Sequence, residues 1–291
     1  MCRWMAWFGQ AVTIDELLFQ TKHGIVDQSL HARMGAEPTN GDGFGLGWYG
    51  SPGEASQPAV YRSVAPAWSD ANLRELAAHV TSHAFLVHVR AAIGSPVQQT
   101  NCHPFRHGRW LFVHNGYVAD FPHLRRDLML ALDPDRFAAV HGSTDTEVLF
   151  QLALSYGLED DPLAALERTV GHVEQTARRR GCECLVQATF GVCDGTTLWA
   201  VRYATEGTPR SLFASAEVAT VQHLYPDDSR LARLLPGDRL IVSEPFSDLP
   251  GVWHEIPANS AVTLAHCGEL DSRPFVPGAA ATTAASTGEE R

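Results

Sequence analysis

Apolar and polar positions along the chain fall into short strand-like blocks, then helical periods, then short blocks again. Residues 2–8 are apolar and aromatic, the pattern of a buried strand. Residues 15–20 make a helical turn. Residues 37–58 are rich in Gly, Pro and Ser around 43–49, which reads as loop, strand, loop. Residues 59–64 suit a strand. Residues 69–79 predict a helix with Ser69 as N-cap and Leu73, Leu76 and Ala77 on one face. Buried strands are expected at 85–89 and 110–113, separated by a polar loop over 94–109. Three helices follow. Asp120 can cap one over 124–132. Thr144 and Glu147 have capping-box spacing ahead of 148–156. Asp161 and Pro162 open a helix that runs to Arg180 and stops at Gly181. Residues 185–192 and 198–203 flank Asp194-Gly195 and predict a hairpin. Short strands are expected at 212–214, 239–243, 253–256 and 261–265.

Strands, helices and strands in that order, without strict alternation, disfavour a Rossmann or TIM architecture. They favour an α+β fold of antiparallel sheets with segregated helices. No internal repeat is visible. Residues 274–291 are mostly Ala, Thr, Ser, Gly and Pro with a charged end, too little apolar surface to order a tail. Residues 2–273 are therefore expected to form one domain.

Composition narrows the class of partner. The 291 residues are 45% hydrophobic and 19% charged, ordinary for a globular chain and enough for a core without disulfides or metal. The formal net charge of -11 repels phosphate backbones, which argues against general nucleic-acid or anionic-membrane binding. A local Arg can still hold a small anionic substrate. The six cysteines, Cys2, Cys102, Cys182, Cys184, Cys193 and Cys267, include no C-x-x-C arrangement. They read as reduced thiols and place the chain in the cytoplasm. Gly9 and Gln10 break the apolar start and Asp15 and Glu16 follow, so no secretory segment is expected, and no run reaches membrane-spanning length.

Four constellations carry candidate chemistry, each with a structural alternative. Removal of Met1 makes Cys2 N-terminal and puts a thiol beside an α-amine of pKa near ~8, which can take the thiol proton. On position alone, Cys2 reads more readily as a small hydrophobe starting a strand. Arg90 closes His88-Val89-Arg90 at the end of an apolar strand, where a guanidinium fork suits a carboxylate, from a ligand or from a structural acid. His114-Asn115-Gly116 ends the next strand; an Asn amide and a backbone N–H can converge on an oxyanion, although Asn-Gly is also the strongest hairpin signal. Asp145, within Ser143-Thr144-Asp145-Thr146-Glu147, can meet a substrate ammonium or simply stabilise a helix start. Together the four match an amino-acid-like substrate with a carboxylate, an ammonium and a scissile γ-amide.

In this order the four segments resemble the motifs of the class II glutamine amidotransferases. Residues 39–49 (TNGDGFGLGWY), 99–105 (QTNCHPF) and 198–203 (LWAVRY), and later Val242-Ser243-Glu244-Pro245, are similar to the YafJ-like single-domain branch, and less closely to an ergothioneine-pathway γ-glutamyl hydrolase. The resemblance spans roughly residues 2–265. It implies the four-layer αββα sandwich of the N-terminal-nucleophile hydrolases, with no cofactor. It implies that Cys2 attacks the γ-carbonyl and forms a thioester, that Asn115 and the Gly116 N–H hold the oxyanion, and that Arg90 and Asp145 bind the α-carboxylate and α-ammonium. Water then releases glutamate. The partner is a small γ-glutamyl molecule. No synthase domain is fused, so ammonia goes to a synthase in trans or a larger γ-glutamyl conjugate is hydrolysed directly. Where the family's ammonia-channelling synthases carry Trp and then Thr-His after the Arg, this chain has Ala91-Ala92-Ile93-Gly94, so the loop over the substrate differs.

Two rival readings stand beside this one. His88, His103, His107 and His114, with Cys102, could serve a metallohydrolase, but no second closely spaced ligand pair accompanies them and pocket-wall histidines are the simpler reading. A non-catalytic member binding an amino acid or a partner protein is the other. Gly41, Gly43, Gly45 and Gly47 match no phosphate or dinucleotide loop and fit a strand under close backbone approach, with Asp42 in a structural place. The Cys182–Cys184 pair lacks further ligands.

Overall fold

The computed structural model describes residues 2–35, 38–50, 57–183, 185–265 and 268–278. In chain order the strands are β1 (Arg3–Thr13), β2 (Phe44–Trp48), β3 (Ala59–Ser63), β4 (Thr81–Val89), β5 (Phe105–His107), β6 (Trp110–Val118), β7 (Val186–Cys193), β8 (Thr197–Ala204), β9 (Phe213–Ser215), β10 (Arg239–Val242), β11 (Trp253–Glu255), β12 (Ser260–Ala265) and β13 (Leu270–Pro274). The helices are α1 (Ile14–Leu18), α2 (Ile25–His31), α3 (Ala71–His79), α4 (Phe121–Leu130), α5 (Pro134–Ala138), α6 (Asp145–Ser155), α7 (Pro162–Arg180) and α8 (Val218–Leu224). Two antiparallel sheets result, one ordered β11-β9-β10-β1-β4-β2-β3 and the other β13-β12-β8-β7-β6-β5.

Side-chain alternation along the strands decides the layers. On β1, Trp4, Ala6 and Phe8 face the second sheet and pack with Leu111, Val113 and Ala200. Met5 and Trp7 face outward and pack with Ile14, Leu18, Ile25, Leu73 and Ala77 of α1, α2 and α3. On the second sheet Phe112, Phe190 and Val201 face outward into Leu124, Leu128, Phe150, Leu166 and Val170 of α4, α6 and α7. This is the expected four-layer αββα sandwich of two antiparallel sheets. Each fully buried side chain of this size contributes about 1.5–3 kcal/mol.

Local signals explain most boundaries. Asp161 accepts a hydrogen bond from Ala164 N–H at the start of α7, and Gly181 ends it in the left-handed region at φ 65°. Asp70 caps α3 in place of the expected Ser69, its carboxylate accepting from Leu73 N–H at 2.8 Å, while Ser69 closes a short 3-10 turn. Asp120 makes no side-chain cap bond and itself adopts φ 52°. The elements absent from the pattern analysis, α2, α5, α8, β5 and β13, have seven residues at most, too few to display a period. The boundary expected at residue 273 falls inside β13, because Phe275 is buried against Tyr203 with ring centroids 5.4 Å apart and its N–H meets Asn259 O. Residues 279–291 of the expected tail lie outside the described residues, as do residues 51–56 of the expected loop.

Candidate active site

β1 lies between β10 and β4, so the first residues of the chain occupy the middle of the seven-stranded sheet. Arg3 is in register with Val89, which sets Cys2 and Arg90 side by side just beyond the paired ends. Continued alternation from Trp4 and from Leu86 turns both toward the space between the sheets. The Cys2 thiol is half-buried and donates to Ala91 O at 3.5 Å. Burial pushes the thiol up; the Ala91 backbone and the guanidinium groups of Arg90 and Arg210 pull it back only in part. The strand end is held firmly. Trp4 N–H donates to Ser243 Oγ at 3.0 Å and Ser243 N–H to Trp4 O at 2.9 Å. Arg3 pairs with Glu244 at 3.3 Å and donates to Cys2 O at 3.1 Å.

Arg90 is buried, 3% exposed, yet has no carboxylate partner among the described residues. Its guanidinium donates to Ser95 Oγ at 2.7 Å, Pro96 O at 3.2 Å and Asp42 O at 3.4 Å, all uncharged acceptors. Asp42 frames it: its N–H donates to Arg90 O and its carboxylate accepts from Ala92 N–H at 2.7 Å. Asp42 thus holds the backbone on both sides of the Arg90 carbonyl.

Asn115-Gly116 is not a turn. It lies inside β6, Asn115 opposite Thr189 and Gly116 opposite Ala188. Asn115 shares the face of Leu111 and Val113, so its side chain enters the same inter-sheet space from the other side. It is 4% exposed, and its side-chain amide has no hydrogen-bond partner among the described residues. A Cβ at Gly116 would stand 1.8 Å from Gln187 O, so no side chain fits there. Two bonds join the sheets at this level. Trp4 Nε1 donates to Thr189 Oγ1 at 2.9 Å, which donates to Asn115 O at 3.2 Å; His88 Nε2 donates to His114 O at 3.2 Å. Asp145 stands at the start of α6. Its carboxylate accepts from Val118 N–H at 2.8 Å and Thr146 N–H at 2.7 Å, pinning the helix to the end of β6. Thr144 caps α6 by accepting from Glu147 N–H, but the Glu147 carboxylate turns to the N–H groups of His141 and Gly142, so the capping box is half made. Cys2, Arg90, Asn115 and Gly116 thus gather at one end of the sandwich, with Asp145 one strand end away.

A family model for class II glutamine amidotransferases matches residues 19–208. The chain belongs to the class II glutamine amidotransferases. It is 32% identical to the probable glutamine amidotransferase DUG3 of Saccharomyces cerevisiae, over 91% of this chain and 82% of that protein. It is 29% identical to the γ-glutamyl-hercynylcysteine sulfoxide hydrolase of Mycolicibacterium smegmatis, over 91% of this chain and 96% of that protein. The class II glutamine aminotransferase domain protein of Silicibacter pomeroyi superposes with a TM-score of 0.70 at 32% identity, over 95% of this chain and 100% of that one. The glutamine PRPP amidotransferase of B. subtilis, 14% identical, shares the fold with a TM-score of 0.58 over 96% of this chain and 50% of its own. The chain is thus an enzyme of γ-glutamyl amides with the N-terminal-nucleophile hydrolase fold.

In this amidotransferase the histidines build a wall. His88 and His103 rings lie 4.0 Å apart, and His114 spends its ring nitrogens on Thr146 Oγ1 at 2.9 Å and Gln187 O at 3.2 Å. Burial lowers the His88 ring to about 3 and takes His103 well below its ordinary value, so both are neutral at physiological pH. His107 stands apart with Arg136. No three His, Cys, Asp or Glu side chains among the described residues converge to hold an ion. Cys184 lies outside the described residues. The close approach expected at the glycines is present: a Cβ at Gly45 would stand 2.1 Å from His103 O. A cavity of ≈ 620 Å³ opens on the outer face of the first sheet around Trp7, Leu240 and Trp253, and Cys2 is not among the residues that line it.

Three further residues, Glu244, Thr189 and Arg210, lie about the site with roles that no local motif reveals. Glu244 is 2% exposed and accepts from His23 Nε2 at 2.7 Å, Arg33 N–H, Met34 N–H and Arg3. Burial opposes its charge, but those donors outweigh burial and hold its carboxyl below the usual range. Thr189 is the sheet-to-sheet relay. Arg210 is the second cation near Cys2. Glu244 was visible in the sequence only as part of the Val242-Ser243-Glu244-Pro245 segment, with no role attached; Thr189 and Arg210 had no signal.

Proposed function

We propose that this enzyme hydrolyses a γ-glutamyl amide through Cys2, made N-terminal by loss of Met1. Its α-amine takes the thiol proton, and sulfur attacks the γ-carbonyl. Asn115 and the Gly116 N–H hold the oxyanion. The C–N bond breaks and the amine leaves with the proton. Water then cleaves the C–S bond of the thioester, releasing glutamate and restoring the thiol. Arg90 takes the α-carboxylate and Asp145 the α-ammonium. The observation that carries this reading is Arg90: a buried guanidinium beside the thiol, aimed into the inter-sheet space, with only neutral acceptors among the described residues. A ligand carboxylate is the partner such a charge requires. The unpaired amide of Asn115 supports the oxyanion role. Cys102, Cys182 and Cys193 are free thiols, which suits a cytoplasmic enzyme. Whether the amine released is ammonia for a synthase in trans or a larger molecule depends on the leaving-group side.

Incubation with γ-glutamyl amides, glutamine included, should release glutamate. A rapid quench should show Cys2 heavier by one γ-glutamyl group. Cys2→Ala should keep the fold and lose both signals. Full turnover in Cys2→Ala, or retention of Met1 in active protein, would remove the mechanism.

A further inference from the structure

We propose that Arg210, over Tyr117, is the subsite for a carboxylate on the leaving group, so that γ-glutamyl amides of amino acids or peptides are preferred to those with uncharged leaving groups. The proposal rests on the γ-glutamyl amide reading above. Arg210 sits in the connection between β8 and β9, and that connection is pinned on three sides. Thr208 O accepts from Gln187 Nε2 of β7 at 3.4 Å, and Arg210 O accepts from Arg202 Nε of β8 at 2.8 Å. Ser211 Oγ donates to Ser243 O at 2.8 Å, and Ser243 is the residue that clamps Trp4. The backbone at Arg210 is therefore fixed between the second sheet and the strand that begins at Cys2.

From there the guanidinium reaches over Tyr117, its central carbon 5.6 Å from the ring centroid. Tyr117 follows Asn115 by two residues on β6, on the same face, and is 39% exposed. This is the open mouth of the inter-sheet space. The charge of Arg210 acts on the Cys2 thiol together with that of Arg90. Guanidinium groups thus stand on two sides of the inter-sheet space, Arg90 from β4 and Arg210 from the mouth beside β6. Free glutamine has one carboxylate, which Arg90 accommodates, and only hydrogens beyond its amide nitrogen. A γ-glutamyl amino acid carries a second carboxylate a few bonds past the scissile nitrogen, where a guanidinium stacked on a tyrosine can grip it.

The test compares γ-glutamylglycine with γ-glutamylglycinamide, which differ only in that carboxylate. The wild-type kcat/KM ratio should favour the acid by roughly 10- to 100-fold, the size of a charge-assisted hydrogen bond. Arg210→Gln should bring the ratio near one, and Arg210→Lys should restore part of it. A wild-type ratio near one, or a ratio that Arg210→Gln leaves unaltered, overturns the proposal. Calorimetric binding of both compounds to Cys2→Ala and to Cys2→Ala/Arg210→Gln reads the same selectivity without chemistry. If no γ-glutamyl amide is hydrolysed, the functional reading fails while the binding arm still decides the subsite.

Discussion

Asn115 is almost wholly buried, and its amide is bonded to no described group, while its own carbonyl is tied to Thr189. The amide keeps some access to solvent, which leaves it available to a transition-state oxygen. Asn115→Ala should lower kcat by about 10²- to 10³-fold and leave thermal stability unchanged or higher. A kcat within threefold of wild type would reduce the residue to a strand position. Asn-Gly also shows how local signals mislead. The dipeptide favours a hairpin, yet eight register pairs with β7 hold it straight. The role of Glu244 was illegible for a related reason: its donors at Arg3, His23, Arg33 and Met34 lie more than two hundred residues earlier in the chain.

Elements with strong end signals and full periods, such as α7 between Asp161 and Gly181, could be read from the sequence almost to the residue. Short ones could not, and the histidine wall is a product of several elements at once. His88 comes from β4, His103 from the connection before β5, and His114 from β6. The wall has a consequence for pH. The His88 ring sits at about 3 in the folded chain against 6.5 ordinarily. Between those values the unfolded chain binds a proton that the folded one refuses. Stability therefore falls as pH is lowered from about 6.5, by up to about 1.4 kcal/mol per pH unit for one such ring, and levels off below about 3. His103 acts in the same direction. Glu244, whose carboxyl is held low, adds its loss only below its ordinary 4.5. Urea unfolding at pH 7, 6 and 5 should show the fall, and His88→Gln should flatten it. A level profile in the wild type over that range would contradict neutral, buried rings.

At the scale of the whole molecule, the order of strands and helices was enough to expect segregated layers. The sequence motifs supplied the two-sheet sandwich. Pattern alone could not assign the short strands after β8 to a sheet: β9, β10 and β11 cross to the first, while β12 and β13 stay with the second. Such assignments depend on long-range pairing, which has no local trace. The two sheets meet beside the site through Trp4 and Thr189, where Gly191 makes room: a Cβ there would stand 3.0 Å from the Trp4 ring. Thr189→Val keeps the volume and orphans the indole N–H. It should destabilise the protein by about 1–3 kcal/mol in urea melts and lower turnover through Asn115. A variant as stable as wild type would mean that the sheets are joined by packing alone. The central place of β1 reaches into biosynthesis. Trp4 is clamped by a residue 239 positions later in the chain. At ribosomal speeds of about 5–20 residues per second, the opening strand waits on the order of ten to fifty seconds for that neighbour. Until then its leading end can pair with β4 but lacks the β10 side of the sheet, and a methionine-trimming peptidase can work on it before folding draws the sulfur inward.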